Sequence, residues 1–263
     1  YSNDIFKRFF TGYKKNIKVE DSSITFNYNN GDYQINGKSK LNINDDVDNF
    51  NYSLKKIKDK FIYDLNFELF NSPINFKILN YTKNKQDKSL LNIKGRYTYS
   101  KFIILENIKF TEDKNFIDIQ NLKLNKNKKI KSIDEIKVTI VNNNKKNTKL
   151  KIKKIRNNYS IISQIFDGSK LVDEILFSKN ERSFFDIFDN LNSNISIKID
   201  KAYLNNNDFL TSLNTELTIK SNEIFNLNLL SKFPNNEEFK VSIRTNPNNE
   251  KITTVFTNYA NPL

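Results

Sequence analysis

Few residues in this chain could do covalent chemistry. Its 263 residues include no His and no Cys. That removes the usual general base, the commonest metal ligand and every thiolate nucleophile. Carboxylates, hydroxyls and lysines remain. Two carboxylate pairs are adjacent in sequence, Asp45-Asp46 and Glu237-Glu238. Paired carboxylates can split acid and base roles only if both enter one cleft. Both pairs lie among turn-forming residues, and neighbours along a strand face opposite ways, so each reads as a solvated turn. In Asp167-Gly168-Ser169 no glycine stands two positions before the serine, so the strained elbow of hydrolase nucleophiles is missing. No Walker loop, dinucleotide-binding glycine pattern or metal-ligand spacing occurs. Five glycines leave little for loops that cradle phosphate. The expectation is a non-enzyme with no cofactor and no metal.

The elements that would position any site are one-sided strands. Asn194-Ile195-Ser196-Ile197-Lys198-Ile199-Asp200 alternates apolar and polar residues, as do Phe61 to Leu69, Phe225 to Leu229 and Phe239 to Arg244. Successive side chains of a strand point to opposite faces, so each segment has one apolar and one polar face. Strands are expected through Ile24, Phe26 and Tyr28, then through Tyr33 and Ile35, with a hairpin turn at Asn29-Asn30-Gly31-Asp32 and alternation resuming at Leu41 and Ile43. Further strands are expected near 50–56, 60–70, 74–81, 90–99, 101–110, 115–124, 134–141 and 149–155. Another set falls near 194–204, 209–220, 223–232, 237–245 and 251–257. Spacing of about ten residues suits an antiparallel meander. Short helices are expected at 2–13, after Ser169, and at 183–191. The fold class is mainly β: an elongated, twisted antiparallel sheet curled into an open groove, with two or three short helices. Residues 1–263 read as one elongated β-repeat region with sub-units at 1–158 and 159–263.

Net charge is +13, from 43 basic and 30 acidic residues. Nearly all the basic residues are Lys, and Lys, Asn, Ile, Phe and Tyr are together abundant, the profile of an AT-rich genome. Nucleic-acid readers lean on Arg, and this chain has five, so no nucleic-acid partner is expected. The most basic stretch, Lys145 to Lys154, alternates Leu150 and Ile152 with lysines and reads as a strand with a lysine-covered wet face. The chain starts at Tyr1 and stops at Leu263 in mid-pattern, so it reads as part of something longer. Tyr1-Ser-Asn-Asp-Ile and Tyr259-Ala-Asn-Pro-Leu echo each other weakly, as equivalent points of a repeating unit would.

Several segments carry a family resemblance. These are Phe166-Asp167-Gly168-Ser169-Lys170-Leu171, Ile195 to Leu204 with the polar turn at Asn205 to Asp208, the closing Ile252 to Leu263, and Val19 to Phe26. In pattern and order they resemble the AsmA-like proteins with the YhdP type of central region. The chain departs from that family in having few glycines before its strands. The resemblance implies a large Gram-negative envelope protein, periplasmic, held in the inner membrane by an N-terminal helix outside this sequence. It also implies a β-groove with an apolar lining that moves phospholipid toward the outer membrane, with envelope or outer-membrane proteins as further partners. On that reading the groove candidates are Ile195, Ile197, Ile199, Leu217, Ile219, Leu227, Leu229, Val241 and Ile243. Such a lining would shelter acyl chains at about 0.8 kcal/mol per buried CH2. The alternative is a structural or adhesive β-repeat whose apolar face is closed by a second sheet or by the short helices.

Overall fold

The computed structural model describes residues 17–43, 45–98, 102–170 and 184–258. The expected helix at 2–13, most of the one after Ser169, and the terminal echo lie outside them. One sheet of 16 strands dominates. It begins with β1 (Ile17–Asn29), β2 (Asp32–Ile43), β3 (Asp46–Ile57) and β4 (Lys60–Leu69). A detached hairpin follows, β5 (Ile74–Phe76) and β6 (Tyr81–Lys83), joined by a 3-10 turn at Lys77–Leu79. The sheet resumes with β7 (Ser89–Thr98), β8 (Ile103–Glu112), β9 (Asn115–Leu124), the short β10 (Ile130–Ser132), β11 (Glu135–Val141), β12 (Asn147–Ile155) and β13 (Asn158–Asp167). It ends with β14 (Ser193–Tyr203), β15 (Phe209–Lys220), β16 (Glu223–Lys232), β17 (Glu238–Thr245) and β18 (Lys251–Thr257).

Spatial order follows chain order from β1 to β18, except that β5 and β6 leave the sheet and β10 sits beside β9. The sheet is open, because β1 and β18 are its two edges and do not pair with each other. It is continuous across 158/159, where β12 pairs with β13. All strand pairs are antiparallel but one: β13 and β14 run parallel, Tyr159 opposite Ile195 and Asp167 opposite Tyr203. A parallel pair needs a long return connection, and 25 residues separate Asp167 from Ser193.

Two expected elements turn out differently. Residues 74–81 are not a meander strand but the detached hairpin, folded over one face of the sheet. Within 183–191 the regular structure is a single 3-10 turn at Phe184–Ile187.

With so few glycines, other residues take the left-handed conformations that tight turns need. Asn30, Lys58, Asp113, Arg156 and Ser221 have φ between 47° and 58° at the tips of two-residue hairpins. Three longer loops share one geometry. The N–H of Asn125, Asn142 and Asn246 donates to the carbonyl of Lys129, Lys146 and Glu250. The side-chain oxygen of the same asparagine accepts the N–H groups two and four residues on. The asparagine therefore closes the turn with its own side chain, and the asparagine-rich stretches between strands are accounted for.

Candidate functional site: an apolar lane across the sheet

The registers place one residue per strand, apolar in every strand but β15, in a line perpendicular to the chain direction. From β3 it runs Tyr52, Leu65, Ile93, Ile108, Ile119, Ile136, Ile152 and Ile161. It continues through Ile197, Thr215, Leu229, Val241 and Val255. That is thirteen strands, so at about 4.8 Å per strand the line is roughly 58 Å long. Between Tyr52 and Val241 every member is half-buried except the buried Thr215.

A deeper row runs beside it toward one end of the strands: Phe50, Phe67, Leu91, Phe110, Ile117, Val138 and Leu150. The detached hairpin covers this row. Ile74, Phe76, Leu79 and Tyr81 pack on Leu69, Phe110, Ile117, Val138 and Ile140, forming the main buried cluster. Polar anchors hold the hairpin down. Asp48 of β3 accepts the N–H groups of Phe70, Asn71 and Ser72 at 2.7, 2.7 and 2.9 Å. Lys83 of β6, fully buried, donates to the carbonyls of Phe70 and Ser72. Burial lowers the Lys83 pKa, with Asp48, Asp87 and Asp46 opposing. Tyr81 donates its hydroxyl to Glu112.

Asp167 is the most enclosed acid of this end, 1 % exposed. It accepts Ser169 Oγ at 2.6 Å, the Ser169 N–H, and the side-chain amides of Asn142 at 2.6 Å and Asn80 at 3.4 Å. Burial pushes its pKa up, but these hydrogen bonds outweigh it and hold the carboxyl below the ordinary value. Asp167 thus ties β13, the β11–β12 loop and the hairpin together. The sequence gives no sign of this role, because Asp-Gly there reads as an ordinary turn.

At the opposite strand ends, Phe185 and Leu191 pack on Ile195, Leu217 and Ile219. Asn222 fixes this cover by accepting the Leu191 N–H and donating to the Phe188 carbonyl. All nine candidate residues share the lane face. Ile195, Ile199, Leu217 and Ile219 are buried, three of them under this cover. Ile197, Leu227, Leu229, Val241 and Ile243 are half-buried. The candidate list misses the lane's longer stretch, from Tyr52 to Ile161, although those residues lie in the same alternating pattern. Among the described residues the lane's covers are the two-stranded hairpin, with Ile119 and Ile136 packed on the cluster it forms, at one end and the 184–191 segment at the other.

Glycines and tyrosines shape the lane floor. A Cβ on Gly37 would lie 2.2 Å from the ring of Tyr52, and one on Gly95 would lie 2.3 Å from the Ile104 carbonyl and 2.6 Å from the Tyr63 hydroxyl. Each tyrosine thus lies over a glycine of the next strand and fills the missing side chain. Burial, with Glu106 adding, pushes the Tyr63 phenol up to about 12. The β7–β8 register shifts between Lys94 and Gly95, which stand opposite Asn107 and Leu105 and leave Glu106 as the extra residue of a bulge.

The other face carries most of the charge, with Ile62, Leu90, Ile155, Ile162 and Leu230 exposed among the charged residues. Lys149, Lys151 and Lys153 are exposed on it, while Leu150 and Ile152 of the same strand face the lane. Lys94–Asp64, Arg96–Glu106, Lys137–Glu135 and Lys151–Glu135 pair there at 2.7 to 3.2 Å. Such exposed pairs add little stability but keep the face soluble. Asp46 pairs with Lys85 and Glu238 with Lys240, so both adjacent carboxylate pairs have surface roles. Among the described residues no three potential metal ligands converge, and no helix is long and apolar enough to cross a membrane. Comparison with protein-family models, curated proteins and solved structures found no match to this chain.

Proposed function

We propose that the lane is a track for phospholipid acyl chains, and that the chain is a non-catalytic cell-envelope module moving lipid between the inner and outer membranes. One observation carries the reading: an apolar line about 58 Å long at the strand spacing of a sheet, half-buried for most of its length, whose covers among the described residues are the detached hairpin and the 184–191 segment. A soluble protein seldom leaves so long an apolar strip without a partner. A bilayer's hydrocarbon core is about 30 Å thick, so one acyl chain spans about 15 Å, and the lane is several chains long. It offers no strong fixed polar site along its middle, so a hydrocarbon can slide without breaking hydrogen bonds. The lysine- and asparagine-covered wet face suits an aqueous compartment such as the periplasm. Anchoring in the inner membrane by a separate helix belongs to the same proposal.

Photo-crosslinking tests it. A photoreactive residue at Ile93 or Ile152, on the lane, should capture phospholipid from vesicles. One at Lys94 or Lys151, the adjacent wet-face positions, should not. Equal capture on both faces, or none on either, rejects the lipid track in favour of a purely structural β-repeat.

A further inference from the structure

The face opposite the lane is not uniform. Lys and Asn are both abundant in the chain, yet on this face they sort into separate fields. Across β11 and β12 it carries Glu135, Lys137, Lys149, Lys151 and Lys153. Across β2, β3, β4 and β7 it carries carboxamides and hydroxyls instead. One row sets Lys38, Asn51, Asn66 and Asn92 side by side, and the next sets Asn36, Ser53, Asp64 and Lys94. A codon bias that favours both residue types does not explain their segregation.

The carboxamide field is also hollow. A concavity of about 340 Å³ lies over Asn36, Lys38, Asn51, Ser53, Asp64 and Asn66. A second, of about 730 Å³, adjoins it two residues further along the strands, over the row Lys40, Asn49, Glu68, Leu90 and Thr111. From Ser53 to Val47 this trough follows β3 for about 20 Å at strand rise. Its far end is walled by the exposed side chains of Val47, Phe70 and Leu90. Lys38, Lys40 and Lys88 are set against Asp64, Glu68 and Asp113, so the charges along it nearly balance. Asp48 borders it too, but its carboxylate is spent on the N–H groups of Phe70, Asn71 and Ser72. Part of the floor is oriented in advance. Asn92 donates to Asp64 at 3.0 Å and to Asn66 at 2.5 Å, Asn66 donates to Asp64 at 3.0 Å, and Lys94 pairs with Asp64 at 3.1 Å. Half-buried Asn51 and Ser53 stand beside this network.

We propose that this trough binds a neutral oligosaccharide. A sugar offers hydroxyl pairs at its edge and C–H groups on its faces. A carboxamide holds an N–H donor and a carbonyl acceptor side by side, which fits two adjacent hydroxyls. Phe70 and Leu90 offer the apolar surface on which a C–H face rests. Side chains of one row repeat at the strand spacing of about 4.8 Å, close to the length of one sugar ring. Near-balanced charge gives no field to hold a phosphate or a nucleic-acid backbone. An acyl chain laid here would bury the amides without partners. The trough lies on the face opposite the lane and stands independently of whether the lane holds lipid.

Calorimetric titration with tetrasaccharides of β-1,4-linked glucose, β-1,4-linked N-acetylglucosamine and α-1,4-linked glucose tests it. Saturable binding of at least one is expected, unchanged by added salt. Asn51→Ala and Phe70→Ala should each weaken it about tenfold or more, with the circular dichroism spectrum unchanged. Lys151→Ala, in the lysine field of the same face, and Ile197→Asp, on the lane, should leave it as it is. Binding of none of these saccharides, binding indifferent to Asn51→Ala or to Phe70→Ala, or loss of binding in Lys151→Ala would overturn the proposal.

Discussion

Replacing Ile197 with Asp puts a charge at the middle of the lane and separates lipid carriage from simple folding. Ile197 stands between Ile161 and Thr215 and is half-buried. Losing half the burial of a four-carbon side chain costs about 1.5 kcal/mol at about 0.8 kcal/mol per CH2. A fold of ordinary stability, about 5–15 kcal/mol, tolerates that loss. The empty lane leaves the new carboxylate wet. An acyl chain lying over it does not, and an aspartate in hydrocarbon costs about 2.5–3.5 kcal/mol. At 1.4 kcal/mol per tenfold, acyl affinity should fall by about two orders of magnitude. Lys198→Asp, one residue along on the wet face, changes charge more and should leave affinity unchanged. Titration of a fluorescent fatty acid into each variant reads the difference. Equal affinities for Ile197→Asp and Lys198→Asp would refute the reasoning, since face and not charge is its basis.

Other substitutions test the parts that hold the lane. Gly95→Ala drives a Cβ against the Ile104 carbonyl and should cost about 1–3 kcal/mol in urea unfolding. Gly37→Ala meets the Tyr52 ring first and should be largely relieved by Tyr52→Ala in the same protein. Lys58→Gly and Arg156→Gly relieve left-handed conformations and should each add about 0.5–1 kcal/mol, seen as a rise in Tm. The buried Thr215 hydroxyl has no partner among the described residues, so Thr215→Val should stabilise by about 1 kcal/mol while keeping the lane continuous. Asp167 is held below its unfolded value of about 3.9, so its contribution is full above about pH 4 and lost as pH falls through the folded value. Asp167→Asn should therefore cost about 2–3 kcal/mol at pH 7 and flatten the acid limb of the stability profile.

The strand content and the one-sided face were legible because a period of two survives any tertiary context. Ile195, Ile197 and Ile199 alternate with polar neighbours in the sequence and share one face in the sheet. What a local pattern cannot carry is which sheet a strand joins. Ile74-Asn-Phe-Lys-Ile-Leu-Asn-Tyr81 alternates like any other segment, yet left-handed Asn80 folds it into a hairpin over the lane. The parallel step between β13 and β14 departs from the antiparallel order expected of the whole sheet, because alternation within a strand carries no direction, and the 25 residues between Asp167 and Ser193 allow the return. The lane itself needed register, because its members are spread across thirteen strands and none is adjacent in sequence. Asp167 was hidden for a different reason: its partners Asn80, Asn142 and Ser169 come from three separate segments.

Native mass spectrometry of the chain after incubation with phospholipid vesicles tests the lipid track most directly. Discrete adducts of phospholipid mass are expected on the wild-type chain and on Lys198→Asp, and none on the Ile197→Asp/Leu229→Asp variant with its fold intact. A wild-type chain that stays free of lipid, or a double variant that carries as much, would contradict it.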